Sequence, residues 1–191
     1  METLDAIRKR CSLKTHLSTK PVEAEKIEQV LEAARLAPSA RNLQPWRFVV
    51  VQGDEAVGEL ATAFNETNQE VRNATVIIIV CAREEDDVIR DGKPYFLFDA
   101  GLAVENLLLA ATDLGLVTHP ILSLDEAETK RILAIPDDYR VVLATPLAYP
   151  AESSYDEAAE ERLGERTRKC LGELAFYGKW GERGEATGGR R

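Results

Sequence analysis

The sequence predicts an α+β fold in which helices cover a central sheet. About four segments have strand length and are rich in β-branched residues, and five or six others carry apolar residues at helical spacing. Their order is too irregular for the strand–helix alternation that builds a parallel sheet. The 191 residues suffice for one domain with its own core. We expect that domain over residues 1–181 and a disordered tail over residues 182–191.

The strands are expected where short apolar runs end at turn residues or charges. The clearest run is ATVIIIVCA over residues 74–82, whose unbroken β-branched character is typical of a strand buried on both faces. The other strands are expected at residues 47–52, 116–122 and 139–149. Residues 11–22 are expected to be extended.

The helices are predicted from apolar residues three and four positions apart. They cover residues 2–10, residues 27–36 up to the stop at Pro38, residues 54–64, a long segment from 95 to Gly115, and residues 125–134 with Asp125 as the N-cap. Residues 83–94 should form a short charged loop. Residues 150–164 should be a solvent-exposed connection, and residues 170–180 carry enough apolar area to dock on another surface.

The segment from residue 95 to 116 is long enough to cross a membrane, but its acidic residues oppose that interpretation. Asp99, Glu105 and Asp113 would each cost on the order of 3 kcal/mol inside a bilayer. Asp99, Asn106 and Asp113 instead form one narrow polar stripe on an otherwise apolar helix. We therefore expect a buried central helix that also packs against a second subunit.

The net charge of −9 and the pI near 4.9 argue against nucleic acid or an anionic membrane as a partner. Cys11, Cys81 and Cys170 show no disulfide or metal-ligand spacing, so we expect free thiols in a reducing cytoplasm. The N-terminus lacks the apolar stretch of a signal peptide. No phosphate-loop, dinucleotide, serine-hydrolase or zinc-protease motif occurs, so an enzymatic reaction here would depend on a bound cofactor.

Two basic clusters are candidates for binding an anion. In an extended chain Arg10, Ser12 and Lys14 share one face, while Cys11 and Leu13 share the other. That face suits a phosphate group, but spacing alone favours a solvated basic strand, because charged alternation is common at protein surfaces.

The second cluster includes Arg166 and Arg168 in a segment rich in glutamate. These arginines would either pair with Glu160, Glu161 and Glu165 or converge with the first cluster on one dianion. A third candidate is the turn-rich stretch over residues 37–46, which either carries functional polar groups or simply places Trp46 in the core.

Five blocks together resemble the nitroreductase family of flavoproteins, over about residues 4–181. The blocks are RCSLK, APSARNLQPWRFVVV, NATVIIIVCA, DAGLAVENLLLAATDLGL and RTRKCLGEL. The resemblance implies an FMN-binding domain with a mostly antiparallel sheet flanked by helices, assembled as an intertwined homodimer.

The resemblance also assigns positions around the FMN. Arg10 and Ser12 match residues that hold the phosphate and ribityl chain, Lys14 matches a residue near the pyrimidine edge, and Arg166 and Arg168 match a C-terminal phosphate-binding pair. Loop residues expected to reach the flavin from the partner subunit are Pro38, Ser39, Ala40 and Asn42. Cys11 also matches a site position, at which relatives more often have Arg or His. Asn68, in preference to Asn65, matches an asparagine at the flavin edge. Leu122 and Ser123 match the segment from which a backbone N–H faces flavin N5.

The family activity implies that NADH or NADPH delivers hydride to the flavin, and that an electron-poor nitroaromatic, quinone or enone then takes the electrons in a ping-pong mechanism. No protein side chain serves as a nucleophile in this scheme. The alternatives are reductive dehalogenation or oxygen-dependent flavin chemistry on the same fold, and a non-catalytic flavin or small-ligand binder. The segment 83–94 is short and Cys11 stands where relatives more often have Arg or His, so the resemblance does not identify the substrate.

Overall fold

The computed structural model describes residues 1–151 and 155–182. The strands are β1 (Trp46–Gln52), β2 (Val76–Ala82), β3 (Ile89–Arg90), β4 (Lys93–Pro94), β5 (Val117–Thr118) and β6 (Arg140–Ala148). The helices are α1 (Thr3–Lys9), α2 (Ala24–Arg35), α3 (Asp54–Ala61), α4 (Phe96–Asp113), α5 (Glu126–Leu133), α6 (Tyr155–Gly164) and α7 (Leu171–Leu174). Of the tail expected to be disordered, residues 183–191 lie outside the described residues.

A four-stranded antiparallel sheet in the order β1-β2-β6-β5 forms the centre of the fold. All seven residues of β2 are buried, as the β-branched run predicted. On one face Ile78 packs in a core with α2 and α4. On the other face Ile77 and Ile79 pack with Val57 and Leu60 of α3. The prediction of a sheet covered by helices is confirmed.

Helix α4 is the buried central helix that the sequence predicted. Leu107 is fully buried in the core. The polar stripe makes specific contacts: Asn106 Nδ2 donates to the carbonyl of Ala33 on α2 at 3.0 Å, and Asp113 pairs with the amino group of Met1 at 2.6 Å. In the part of the chain that the structure describes, no helix has both the length and the hydropathy needed to cross a membrane.

The strand expected over residues 116–122 is shorter than predicted. Only Val117–Thr118 pairs with β6, and a single bridge from Ile121 to Ala144 follows. Pro120 lies between them and has no N–H to donate to a strand neighbour, so the ladder breaks there.

Two segments expected to be irregular contain regular structure. Residues 155–164 of the expected connection form α6, because Ala, Glu, Arg and Leu dominate them and are good helix formers. The expected loop over residues 83–94 contains the β3–β4 hairpin. Its turn is formed by Asp91 and Gly92, which both have positive φ (53° and 74°), as tight hairpin turns require.

Candidate functional site

Both ends of the chain contribute to one cavity of about 510 Å³, which we call the arginine cavity. Its lining residues are Ile7, Arg8, Arg10, Ser12, Glu105, Leu108, Pro120, Arg166 and Arg168. Four of the nine are arginines and one is a glutamate, so the cavity is locally cationic although the whole chain carries a net charge of −9. Such a surface attracts an anion.

Arg166 ties the C-terminal segment to the N-terminal one. Its Nη1 donates to the carbonyl of Arg10 at 3.3 Å and its Nη2 to the carbonyl of Arg8 at 3.1 Å. The first of these contacts joins residues 156 positions apart. Arg166 therefore has a structural role before any ligand binds.

Arg10 and Arg168 each donate fewer hydrogen bonds within the described part of the chain than Arg166 does. Arg10 Nη1 donates to Ser12 Oγ at 3.1 Å, which aligns the guanidinium and the hydroxyl along the same wall of the cavity. Arg168 Nη1 donates to the carbonyl of its neighbour Thr167 at 2.7 Å, and its side chain is exposed. Arg168 therefore keeps most of its donors available for a ligand.

The chain around Ser12 is extended only locally. Ser12 forms a parallel bridge with Thr118, and the chain bends from Lys14 onward. Leu13 is buried with 7% exposure, away from the cavity as the alternation predicted. Cys11, expected on the side of Leu13, lines a smaller cavity of about 220 Å³ that also includes Arg10 and the two C-terminal arginines.

Lys14 is held by the segment that precedes β2. Its Nζ donates to the carbonyl of Thr67 and, at 3.2 Å, to Asn68 Oδ1. Asn68 is buried with 6% exposure, and its Nδ2 donates to Asn65 Oδ1 at 2.9 Å. Of the two asparagines considered from the sequence, Asn68 is the one that contacts Lys14.

The sequence did not identify His119, which lines a third cavity of about 280 Å³ together with Ser12 and Lys14. Burial lowers the pKa of His119, and the positive charges of Lys14 and Arg162 lower it further. Its Nδ1 is buried and has no hydrogen-bond partner among the described residues. A lone histidine before a proline carries no recognisable signal in the sequence.

The loop after α2 has a constrained backbone. Three residues other than glycine have positive φ: Arg41 (52°), Asn42 (60°) and Gln44 (51°). The N–H of Gln44 donates to Ser39 Oγ at 2.9 Å, and the N–H of Ala40 donates to Asp99 Oδ2 at 2.6 Å. The loop also leads into Trp46, which is buried with 5% exposure. This stretch therefore places Trp46 in the core, which is one of the two roles expected for it.

The structure brings only some of the expected site residues together. Those that line the arginine cavity are Arg10, Ser12, Arg166 and Arg168. Those outside it are Cys11, Lys14, Pro38, Ser39, Ala40, Asn42, Asn68, Leu122 and Ser123. Leu122 is 73% exposed and Ser123 is exposed, two and three positions after the cavity residue Pro120. Among the described residues, no group of three His, Cys, Asp or Glu side chains could hold a metal ion.

The sequence matches the model of the nitroreductase family over residues 7–74 and 59–149. It is 35% identical over 168 residues to a provisionally named NADH dehydrogenase/NAD(P)H nitroreductase of Archaeoglobus fulgidus, a match that covers 85% of this chain and 93% of that protein.

Solved structures of this fold are also similar. A nitroreductase family protein of Clostridium novyi NT superposes with a TM-score of 0.75 at 30% identity, covering 96% of this chain and 97% of that one. One from Clostridium difficile 630 superposes with a TM-score of 0.80 at 29% identity, covering 94% and 99%. A structure described as an oxidoreductase containing FMN has a TM-score of 0.78 at 28% identity, covering 93% and 92%.

Proposed function

The chain belongs to the nitroreductase family, and on that premise we propose that it holds FMN and passes electrons from NADH or NADPH to an electron-poor acceptor. The chain is an oxidoreductase, as the family is. Candidate acceptors are nitroaromatic compounds, quinones and enones. The observation that carries the proposal is the convergence of Arg10, Arg166 and Arg168 on one cavity.

The donor set of the arginine cavity fits the phosphate end of FMN. A phosphate dianion accepts several hydrogen bonds, and guanidinium groups match its oxygens with a planar fork. Arg168 has most of its donors free, and Arg10 already lies beside the Ser12 hydroxyl at 3.1 Å. Apolar Ile7 and Leu108 complete the wall and limit the water that competes for the anion.

Lys14 is proposed to face the pyrimidine edge of the flavin. Bound FMN would supply a hydride acceptor and donor, and the reduced ring carries negative charge on that edge. The ammonium of Lys14 is held by Thr67 and Asn68 before a ligand arrives, so its positive charge needs little reorganisation. We infer that Lys14 raises the reduction potential of the flavin more than it contributes to affinity.

The loop residues Pro38, Ser39, Ala40 and Asn42 are proposed to reach the flavin of a partner subunit. In one subunit they do not line the arginine cavity, which is what a contribution from the other subunit requires. Leu122 and Ser123 lie two and three positions after the cavity residue Pro120 and are exposed, so we propose that a backbone N–H of this segment faces a ring seated there.

A homodimer is proposed from the exposed apolar surface. Leu171, Tyr177 and Trp180 near the C-terminus are 78%, 66% and 91% exposed, more than a lone subunit in water favours. The edge strand β1 and helix α2 border a groove of about 1030 Å³ with apolar side chains such as Trp46 and Phe48. We propose that the C-terminal segment of one subunit packs into this groove of the other, which gives the intertwined dimer.

The spectrum of the purified full-length chain tests the proposal. The protein is mixed with FMN, freed of excess ligand and examined for bound flavin absorbance. It is then reduced anaerobically with NADH or NADPH and reoxidised with a panel of nitroaromatic compounds, quinones and enones. We expect yellow protein, bleaching by one nicotinamide donor, and parallel double-reciprocal plots typical of a ping-pong mechanism.

The other outcomes separate the alternatives. A protein that stays colourless with added FMN contradicts the proposal. Yellow protein that consumes neither donor indicates a flavin binder without catalysis. Turnover that requires oxygen points to oxygen-dependent flavin chemistry, and turnover with halide release from a halogenated substrate points to reductive dehalogenation. Light scattering of the same sample tests the dimer, and a monomer would contradict that part.

A further inference from the structure

The segment over residues 119–123 continues from β5 along the edge of β6 without completing a regular ladder. Val117 pairs with Ala148, and further along Ile121 pairs with Ala144 in the same antiparallel register. The N–H of Ile121 donates to the carbonyl of Ala144 at 2.8 Å, and the N–H of Ala144 donates back at 3.0 Å. Bonded and non-bonded pairs alternate in an antiparallel ladder, so the next bonded pair toward β5 is expected two residues away.

That expected pair is His119 with Pro146, and a hydroxyl group lies between the two residues. Pro146 has no N–H, so only the bond from the N–H of His119 to the carbonyl of Pro146 could form there. His119 donates its N–H to Thr145 Oγ1 at 3.1 Å instead, and Thr145 Oγ1 donates to the carbonyl of Pro146 at 3.1 Å. The hydroxyl of Thr145, which we call the hydroxyl wedge, therefore takes the place of the direct ladder bond.

The hydroxyl wedge is held in the most enclosed part of the sheet. Thr145 has 0% exposure and lies in β6 opposite Ile78 of the buried strand β2. A threonine hydroxyl has one hydrogen to donate and lone pairs with which to accept. Thr145 uses both, one toward His119 and one toward Pro146, so the direction of each hydrogen bond is fixed.

The residues that the hydroxyl wedge holds lie at the candidate site. His119 lines the cavity of about 280 Å³, and Pro120 lines the arginine cavity. Just beyond the Ile121 bridge, the N–H groups of Leu122 and Ser123 donate to no acceptor in the described part of the chain. A hydroxyl between a donor and an acceptor holds them farther apart than a direct hydrogen bond would, so the wedge sets how far this segment lies from β6.

We propose that Thr145 is a positioning residue for the segment over residues 119–123: its hydroxyl fixes the distance of that segment from β6, and thereby the place of the N–H groups that the proposed function directs at the flavin. Thr145 lines neither cavity, so it acts through the segment. The effect on the flavin rests on the proposed function, whereas the hydroxyl wedge is a property of the ligand-free chain.

Two substitutions separate the hydroxyl from the size of the side chain. Thr145→Val puts a methyl group in its place, which blocks a direct bond from His119 to Pro146 and can neither accept nor donate a hydrogen bond. Thr145→Ser keeps the hydroxyl. The matched control is Thr129→Val, because Thr129 also has 0% exposure and its hydroxyl donates to a backbone carbonyl, that of Asp125, at 2.7 Å.

The first measurement is hydrogen exchange of the His119 amide, followed by NMR on the ¹⁵N-labelled full chain without FMN. The amide of Leu107 in α4 is the reference for folding. Thr145→Val should lower the protection of His119 relative to Leu107 about tenfold, because one hydrogen bond is lost. Thr145→Ser and Thr129→Val should stay within about threefold of the wild type. In the wild type, the Thr145 hydroxyl proton should exchange slowly enough to give a nuclear Overhauser effect to the His119 amide proton.

The second measurement is the rate at which NADH or NADPH bleaches the FMN-loaded chain in a stopped-flow experiment. Thr145→Val should lower this rate about tenfold, because a backbone donor beside the reacting ring is no longer held in place. The affinity for FMN should change less than about threefold, because the arginines proposed to hold the phosphate are untouched. A merely structural role would not split rate from affinity in this way. Thr145→Ser should restore the rate.

Wild-type protection of His119 in Thr145→Val, or an equal loss in Thr145→Ser, would overturn the proposal. An unchanged bleaching rate in a Thr145→Val protein that has lost this protection would overturn the link to the flavin. If Thr145→Val does not fold, the wild-type hydroxyl proton decides, because rapid exchange of that proton contradicts the hydroxyl wedge. Failure of the wild type to bind FMN refutes the proposed function, and the exchange data still decide whether Thr145 holds the segment.

Discussion

Arg166 and Arg168 differ in what they do before any ligand arrives, and alanine substitutions should separate the two roles. Arg166 spans the N-terminal segment with hydrogen bonds to the carbonyls of Arg8 and Arg10, whereas the one hydrogen bond of the Arg168 side chain within the described residues goes to the carbonyl of Thr167. A hydrogen bond to a charged group contributes about 1.5–3 kcal/mol. Arg168→Ala should therefore weaken FMN binding by about 10- to 150-fold.

The free energy of unfolding should distinguish the variants. Arg168→Ala should change it by no more than about 0.5 kcal/mol, because the side chain is exposed and makes one local contact. Arg166→Ala should lower it by about 1–2 kcal/mol as well as weaken FMN binding, because two carbonyls lose a charged donor at the solvent-accessible cavity wall.

Quenching of FMN fluorescence measures affinity, and urea unfolding of the ligand-free chain measures stability. Arg131→Ala is the matched control, because Arg131 pairs with Glu128 at 2.7 Å on α5, outside the arginine cavity. Unchanged FMN affinity in Arg168→Ala would refute the phosphate assignment. Unchanged stability in Arg166→Ala would refute the structural role of its two backbone contacts.

Three further predictions concern groups away from the cavity. Burial raises the pKa of the Cys81 thiol to about 11, so it should react with a chromogenic disulfide reagent at neutral pH only after urea unfolding, and rapid native reaction would contradict this. The hydrogen bond from Arg140 lowers the pKa of Glu126 from 4.5 to about 2, so its stabilisation, complete above pH 4.5, is lost as the pH falls toward 2. Glu126→Gln should lose less stability over that interval in urea titrations, and equal loss would count against the assignment. Asp125→Ala should lower the free energy of unfolding by about 1 kcal/mol, because the N-cap bond to the N–H of Glu128 at 2.9 Å disappears, while Asp125→Asn should be near neutral.

Local patterns were sufficient for the elements whose surroundings are uniform. The β-branched run of β2 is buried on both faces, so every residue carried the same signal. Helix α4 is predicted by its apolar surface with one polar stripe, and the N-cap of α5 by the position of Asp125. These features depend on neighbours within a few positions, and sequence spacing records such neighbours directly.

Local patterns did not predict the structure where a single residue interrupts an element, or where two interpretations of a segment were about equally supported. Pro120 interrupts the strand expected over residues 116–122 because it lacks an N–H. The segment that forms α6 was expected to be a connection, because it is highly charged and has little apolar area to pack on the core. It is nevertheless rich in good helix formers and is helical. Asn65 and Asn68 were nearly equivalent in the sequence, and only the contact with Lys14 separates them.

The sequence by itself determined the order of the main helices and strands, the buried strand and central helix, and the two basic clusters with their residue types. Only the tertiary structure decided that Arg166 meets the backbone of Arg10 across 156 positions, and that Asp99 of α4 accepts the N–H of Ala40 from the loop after α2. Local spacing sets which face of a helix or strand a side chain occupies. Contacts between distant segments depend on how the whole core packs, and no short pattern in the chain encodes that packing.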